Sequence, residues 1–256
     1  VKELILVAQD PTAYGEDWGK PGAVCELLDK LQTIAGLKWI RVLYAYPERI
    51  SDEFIAAMVR NTKVVPYLDL PIQHCDDAVL KAMNRRGGRK EIEDAIARLR
   101  AAIPGITLRT TLIAGFPGET EEQYAELCDF VKTVKFDRLG CFAYSAEENT
   151  VAARMDGQLD EETKQRRADH IMELQALISA EKEEEKVGRV LECICDGVDE
   201  ESGSYLLRSQ ADCPEIDGNV IVESETPLEP GAFYRVKITD ADTYDLYGTV
   251  EEKVED

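Results

Sequence analysis

Histidine is nearly missing from this chain, which has two in 256 residues. His74 has no second histidine or carboxylate at a ligand spacing, so a histidine-built metal site is excluded there. Cysteine occurs seven times, as Cys25, Cys75, Cys128, Cys141, Cys193, Cys195 and Cys213, but the set is odd and scattered, with no CxxC pair and a single CxC. That pattern excludes a disulfide framework and reads as reduced thiols. No run approaches the roughly 18 apolar residues of a membrane span. The start lacks the charged, apolar and small-residue order of a signal peptide, so the expected compartment is the cytoplasm. Positive charge is scarce: 30 Lys and Arg stand against 51 Asp and Glu, a net charge of −21. Such a surface repels phosphate backbones and attracts basic partners, which disfavours nucleic acid. Internal repeats are lacking, and so is low complexity outside one acidic helix end, which excludes a solenoid or fibre. An initiator methionine is also missing. The chain opens at Val1 inside an uncapped strand pattern, VKELILVAQ, and is expected to be a fragment.

What is present is enough for a buried core, with 44% apolar and 32% charged residues. Apolar runs at 4–9, 39–46, 64–73, 106–115 and 138–145 alternate with amphipathic segments, which predicts a parallel sheet or barrel crossed by helices. One helix follows Pro21-Gly22 and carries Val24, Leu27, Leu28, Leu31 and Ile34 at helical spacing. A second starts near Glu91 with Ile92, Ala95, Ile96 and Leu99 on one face, and a third begins at Thr120 and buries Tyr124, Leu127, Phe130 and Val131. Residues 160–186 predict a charged packing helix with Ile171, Leu174, Leu177 and Ile178 as its apolar stripe. Beyond Val187, short strands separated by Asp-Gly and Pro-Gly turns predict a small antiparallel barrel. The boundary therefore falls between 1–186 and 187–256. The second part carries five basic residues against eighteen acidic ones, a charge of −13, leaving −8 for the first.

Two segments can carry chemistry. YLDLPIQHCDDAVLKAMNRRGG (67–88) is a strand that ends in Gln73 and His74 and turns into a helix capped by Asp76 or Asp77; parallel barrels place ligands at such strand ends. Side chains alternate along a strand, so Gln73 or His74, not both equally, should meet a ligand. LRTTLIAGFPGET (108–120) sets Arg109 and Thr111 on one strand face ahead of a Gly-Phe-Pro-Gly turn. A buried Arg109 needs an anion, either a structural carboxylate such as Asp69 or Glu119 or the carboxylate of an amino-acid-like cofactor. Gln9 closes the first strand, and Tyr44 and Tyr46 close the second. Cys75 lacks an orienting acid and is not expected to be a nucleophile.

The segments YPERISDEFI (46–55), LPIQH (70–74), VLKAMNRRG (79–87), LRTTLIAGFPGETEEQ (108–123), DRLGCFAYSAEENT (137–150) and CPEIDG (213–218) together resemble the radical S-adenosylmethionine methylthiotransferase family, in particular its RimO type. The resemblance covers essentially the whole chain. It implies an α/β fold, a partial (β/α)6 radical-SAM TIM-like barrel, followed by a small all-β, OB-like TRAM barrel. The implied activity is transfer of a methylthio group to the β-carbon of an aspartate in small-subunit ribosomal protein twelve. The implied cofactors are S-adenosylmethionine and two four-iron four-sulfur clusters, the first held by a CxxxCxxC loop that leaves one iron open for the cofactor. The chain contains no CxxxCxxC. The resemblance puts both sets of cluster cysteines upstream, so none of the seven cysteines here is an expected cluster ligand, no catalytic residue is assigned and the fragment by itself is expected to be inactive. Gln9, Gln73 or His74, and Arg109 with Thr111 are the expected wall facing S-adenosylmethionine. At Cys75 the family pattern usually has a small hydroxyl residue. The expected partner is a basic ribosomal protein docked by the acidic TRAM barrel. The competing readings are a tRNA methylthiotransferase of the same superfamily, an acidic noncatalytic docking module and, setting the resemblance aside, a TIM-barrel enzyme that uses Arg109 for an anionic substrate.

Overall fold

A computed structural model describes residues 1–255. Strands β1 (Glu3–Leu6), β2 (Trp39–Val42), β3 (Val64–Asp69), β4 (Thr107–Ala114) and β5 (Arg138–Ala143) form one sheet in the order β1-β2-β3-β4-β5. The β2/β3, β3/β4 and β4/β5 pairs are parallel. All four residues of β2 are buried, as expected for a parallel strand covered on both faces. Two strands stop short of their apolar runs. β2 ends before Tyr44, whose positive φ of 63° turns the chain out of the ladder, and β3 ends at Asp69, two residues before Pro71, which has no amide to donate to a ladder. Gln73 then rejoins as an isolated parallel bridge to Leu112.

The helices are α1 (Ala23–Leu31), α2 (Asp52–Arg60), α3 (Asp77–Ala82), α4 (Arg89–Ala102), α5 (Glu121–Val134) and α6 (Glu161–Glu184). Their starts follow capping chemistry. The Asp76 carboxylate accepts from the amides of Ala78 and Val79, and Thr120 with Gln123 closes a capping box on α5. Helix α2, capped by Ser51 through the Phe54 amide, is an addition to the helices expected from sequence. Ile34 lies beyond the end of α1 and is exposed. On α6 the buried face runs through Lys164, Arg167, Ala168, Ile171, Gln175 and Ile178, whereas Leu177 is 72% exposed. Among the described residues, no helix is long and apolar enough to cross a membrane.

Strands β6 (Val190–Val198), β7 (Tyr205–Ser209), β8 (Val220–Val222), β9 (Phe233–Ala241) and β10 (Leu246–Lys253) close into a barrel in the order β10-β8-β7-β6-β9. The barrel is not wholly antiparallel, since β10 runs parallel to β8. Five strands cannot alternate direction around a closed ring without one parallel neighbour pair. Cys193, Cys195, Leu207, Val220, Val222, Tyr234, Val236, Ile238 and Leu246 fill its interior, and buried Arg208 is held by Asp196 and Glu3. By contact density the chain divides into two compact units. One comprises Val1–Leu4, Ala35–Trp39 and the residues from Ala176 on; the other comprises Ile5–Ile34 and Ile40–Gln175.

Candidate functional site

The cavity of interest lies in the sheet-bearing unit, where the chain leaves the C-terminal ends of the strands. Its volume is about 590 Å³, and it is lined by Val7, Ala8, Gln9, Tyr44, Tyr46, Pro71, Gln73, Arg85 and Thr111. Backbone bonds fix this rim: the Gln73 amide donates to the Thr111 carbonyl at 2.9 Å and the Ile113 amide to the Gln73 carbonyl at 2.9 Å. Beneath it, the Ala45 amide donates to the Asp69 carbonyl at 2.9 Å. The left-handed backbones at Tyr44 and Gln73 are what release these side chains from the sheet. The side chains of Gln9, Gln73 and Thr111 make no hydrogen bond to another described residue. Apolar and aromatic walls with a few convergent polar groups are the usual construction of a small-molecule site.

His74 and Arg109 sit elsewhere. His74 is fully buried. Its Nδ1 accepts from the Asp76 amide at 3.0 Å, so the ring proton belongs on Nε2, which lies 3.4 Å from Glu119 Oε2 without hydrogen-bond alignment. Glu119 in turn accepts from the Gly115 amide at 3.0 Å and from Arg167 Nη1 at 2.6 Å, and Arg167 also donates to Glu121 at 2.6 Å. Burial pushes the Glu119 carboxyl up, but His74, the Gly115 amide and Arg167 together outweigh it and leave the group below the usual carboxylate range. Arg109 donates to Asp69 Oδ1 at 3.0 Å, one of the two structural carboxylates open to it from sequence. His74 and Arg109 therefore brace the strand ends while Gln9, Gln73 and Thr111 reach the cavity. Burial raises the Cys75 thiol to about 12, which keeps it protonated near neutrality.

Sequence reasoning missed Arg85 as a site residue. It follows α3 at a turn where Asn84 takes φ 59°, a conformation asparagine tolerates. The guanidinium donates to the Pro71 carbonyl and lies 4.7 Å over the Tyr46 ring. The signal was the first arginine of the Arg-Arg-Gly-Gly run at 85–88, but its direction depends on contacts made far away in sequence.

An α/β class, built on a five-stranded sheet with a ligand cavity at its strand ends, is what the fold and this cavity define. Residues 1–131 match the radical SAM superfamily and residues 187–250 the TRAM domain, and the chain belongs to the radical SAM superfamily. It is 50% identical over 250 residues to the ribosomal protein uS12 methylthiotransferase RimO of Pelotomaculum thermopropionicum, covering 97% of this chain and 56% of that protein. It is 48% identical over 250 residues to the RimO of Desulfitobacterium hafniense, covering 98% and 56%. The chain thus spans just over half the length of these curated relatives. Among solved structures, coproporphyrinogen III oxidase HemN of Escherichia coli, a radical SAM enzyme, aligns with a TM-score of 0.57 over 93% of this chain and 54% of its own, at 14% identity; that likeness concerns the fold alone.

Membership of the superfamily implies S-adenosylmethionine and a four-iron four-sulfur cluster. The cavity fits the first, offering tyrosine and aliphatic walls for a nucleoside and unengaged amide and hydroxyl groups for its polar atoms. The residues present do not fit the second: among the described residues, no three His, Cys, Asp or Glu side chains are grouped to hold a metal.

Proposed function

We propose that this chain is the S-adenosylmethionine-binding and substrate-docking part of a methylthiotransferase that modifies the β-carbon of an aspartate in ribosomal protein uS12. The observation that carries the proposal is the cavity at the strand ends, where Gln9, Gln73 and Thr111 present polar groups with no partner among the described residues. In this reading those three hold the cofactor, while His74 and Arg109 support them from beneath through Glu119 and Asp69. When bound, S-adenosylmethionine supplies the radical and the methyl group. The chain's own residues orient its nucleoside and exclude water from it. The two clusters of such an enzyme are assigned to cysteines other than the seven in this chain.

The likeness to relatives named uS12 methylthiotransferases supports the choice of substrate. The charge supports it too: residues 187–256 carry five basic and eighteen acidic side chains, which suits a basic protein and not a phosphate backbone. We take 1–186 as the catalytic domain, 187–256 as the docking domain and the cytoplasm as the compartment, where ribosomal proteins are modified. The test is binding of this chain to purified uS12 and to bulk tRNA, side by side across a salt series. Salt-sensitive binding to uS12 with none to tRNA is the expected result; preference for tRNA overturns the substrate assignment.

A further inference from the structure

Of the two tryptophans in the chain, Trp39 is 2% exposed and Trp18 is 61% exposed. Trp18 meets Tyr14, itself 39% exposed, edge to face with ring centroids 5.2 Å apart. The pair forms a ledge on two short 3-10 turns, Pro11–Ala13 and Glu16–Trp18, and polar contacts hold it in place. The Asp10 carboxylate caps the first turn by accepting from the Thr12 amide at 3.0 Å. The Trp18 and Lys20 amides both donate to the Gly15 carbonyl, at 3.1 and 2.9 Å. Arg49 clamps the segment from outside, pairing with Asp10 at 2.8 Å and with Glu16 at 2.5 Å. Both anchors border the cavity, since Asp10 follows Gln9 directly, the Pro47–Arg49 turn follows Tyr46, and Gln9 and Tyr46 line it. An uncovered indole on a backbone fixed in this way has the character of a contact surface, where tryptophan and tyrosine carry most of the binding.

The charge around the ledge says what covers it. Segments 10–20 and 47–53, which Arg49 ties together, carry six acidic and two basic side chains. Asp17, beside Trp18, is exposed and has no ion pair among the described residues. An indole face next to an unspent carboxylate attracts a cation through the ring quadrupole and through charge together, and the same acidic surroundings repel a phosphate backbone. We infer that the Tyr14–Trp18 ledge docks the basic side chains that flank the target aspartate in uS12, a lysine or arginine lying over the Trp18 ring with Asp17 beside it. The inference rests on the proposed function, and it adds to residues 187–256 a second contact for that partner, on the sheet-bearing unit at the border of the cavity.

The experiment titrates uS12 into the wild-type chain, Trp18→Phe, Trp18→Leu and Asp17→Asn by calorimetry, with folding checked by circular dichroism and acrylamide quenching of tryptophan emission read alongside. A second form of uS12 has the lysines and arginines flanking its target aspartate changed to glutamine. The wild type is expected to bind native uS12 about tenfold or more tighter than the changed form, and native uS12 shields Trp18 from acrylamide. Trp18→Leu keeps apolar area but loses the π face, so most of that preference disappears, whereas Trp18→Phe keeps most of it. Asp17→Asn weakens binding of native uS12 and flattens its salt dependence. No preference in the wild type, a full preference in Trp18→Leu, or a Trp18 that stays equally quenchable in the complex overturns the inference, while binding of uS12 itself leaves the functional reading standing. Shielding of Trp18 by bulk tRNA and not by uS12 overturns the partner assigned to the ledge. A wild-type chain that binds neither form of uS12 overturns both the inference and the docking reading beneath it.

Discussion

At the scale of single residues, Glu119 is where the site's support is most exposed to a change of charge. Its carboxylate meets the Gly115 amide, Arg167 and His74 in a fully buried setting. Glu119→Gln leaves Arg167 without its buried counter-charge, and breaking a buried pair in this way costs about 3–5 kcal/mol. Urea unfolding at pH 7 is expected to show that loss. The native carboxyl titrates below the ordinary value, while the unfolded chain's is near ~4.3. The charged form therefore contributes fully above the unfolded value, and its contribution drains away as pH falls through the native one. The gap between wild type and Glu119→Gln should narrow as the pH is lowered to 3; a constant gap would mean that shape, not charge, is what Glu119 supplies. Glu119 was legible in sequence only as one possible partner for Arg109. Its true partners, Arg167 and His74, lie 48 and 45 positions away, where no local spacing points to them.

At the scale of elements, legibility followed the locality of the signal. Thr120 and Asp76 announce the starts of α5 and α3 because a cap is a bond to an amide two or three residues on. The parallel strands show as apolar runs, but their ends do not, since the left-handed backbone at Tyr44 and the missing amide of Pro71 interrupt the ladders within those runs. Helix α2 escaped notice although Ser51 precedes Phe54, Ile55 and Met58 at helical spacing. Helix α6 was legible in part: Ile171 and Ile178 of its apolar stripe are buried while Leu177 is exposed, and the buried face also takes in Lys164, Arg167 and Gln175, which bond Glu161, Glu119 and the Phe136 carbonyl, so an apolar stripe alone does not mark it. The two leucine-like positions separate cleanly by experiment. Ile171→Ala removes a fully buried side chain and is expected to cost about 2–5 kcal/mol. Leu177→Lys, on the exposed face, is expected to stay within about 0.5 kcal/mol. Denaturant midpoints of the two variants decide which stripe is buried; equal losses would restore the sequence-based one.

At the scale of the whole molecule, the dominant quantity is charge, and it was fully legible, because a net charge of −21 needs no fold to be counted. The closing of β8 against β10 was not, since it follows from the number of strands in the ring and not from any segment. Charge acts on stability in two opposed ways. Many exposed pairs, such as Arg60 with Asp29, Arg235 with Glu252 and Lys253 with Glu229, weaken when screened, but exposed pairs contribute little to stability in the first place. The excess of acidic side chains repels itself in the compact state, and that repulsion is also screened by salt. With 21 uncompensated negative charges, relief of repulsion should win. Raising NaCl from 10 mM to 1 M shortens the screening length from about 30 Å to about 3 Å. The thermal midpoint at pH 7 should then rise by a few degrees, which for a chain of this size corresponds to roughly 1 kcal/mol. Circular dichroism melts across that salt range read the sign directly. A falling midpoint would assign net stabilisation to the exposed ion pairs, and would also remove the argument that this acidic surface holds unspent attraction for a basic partner.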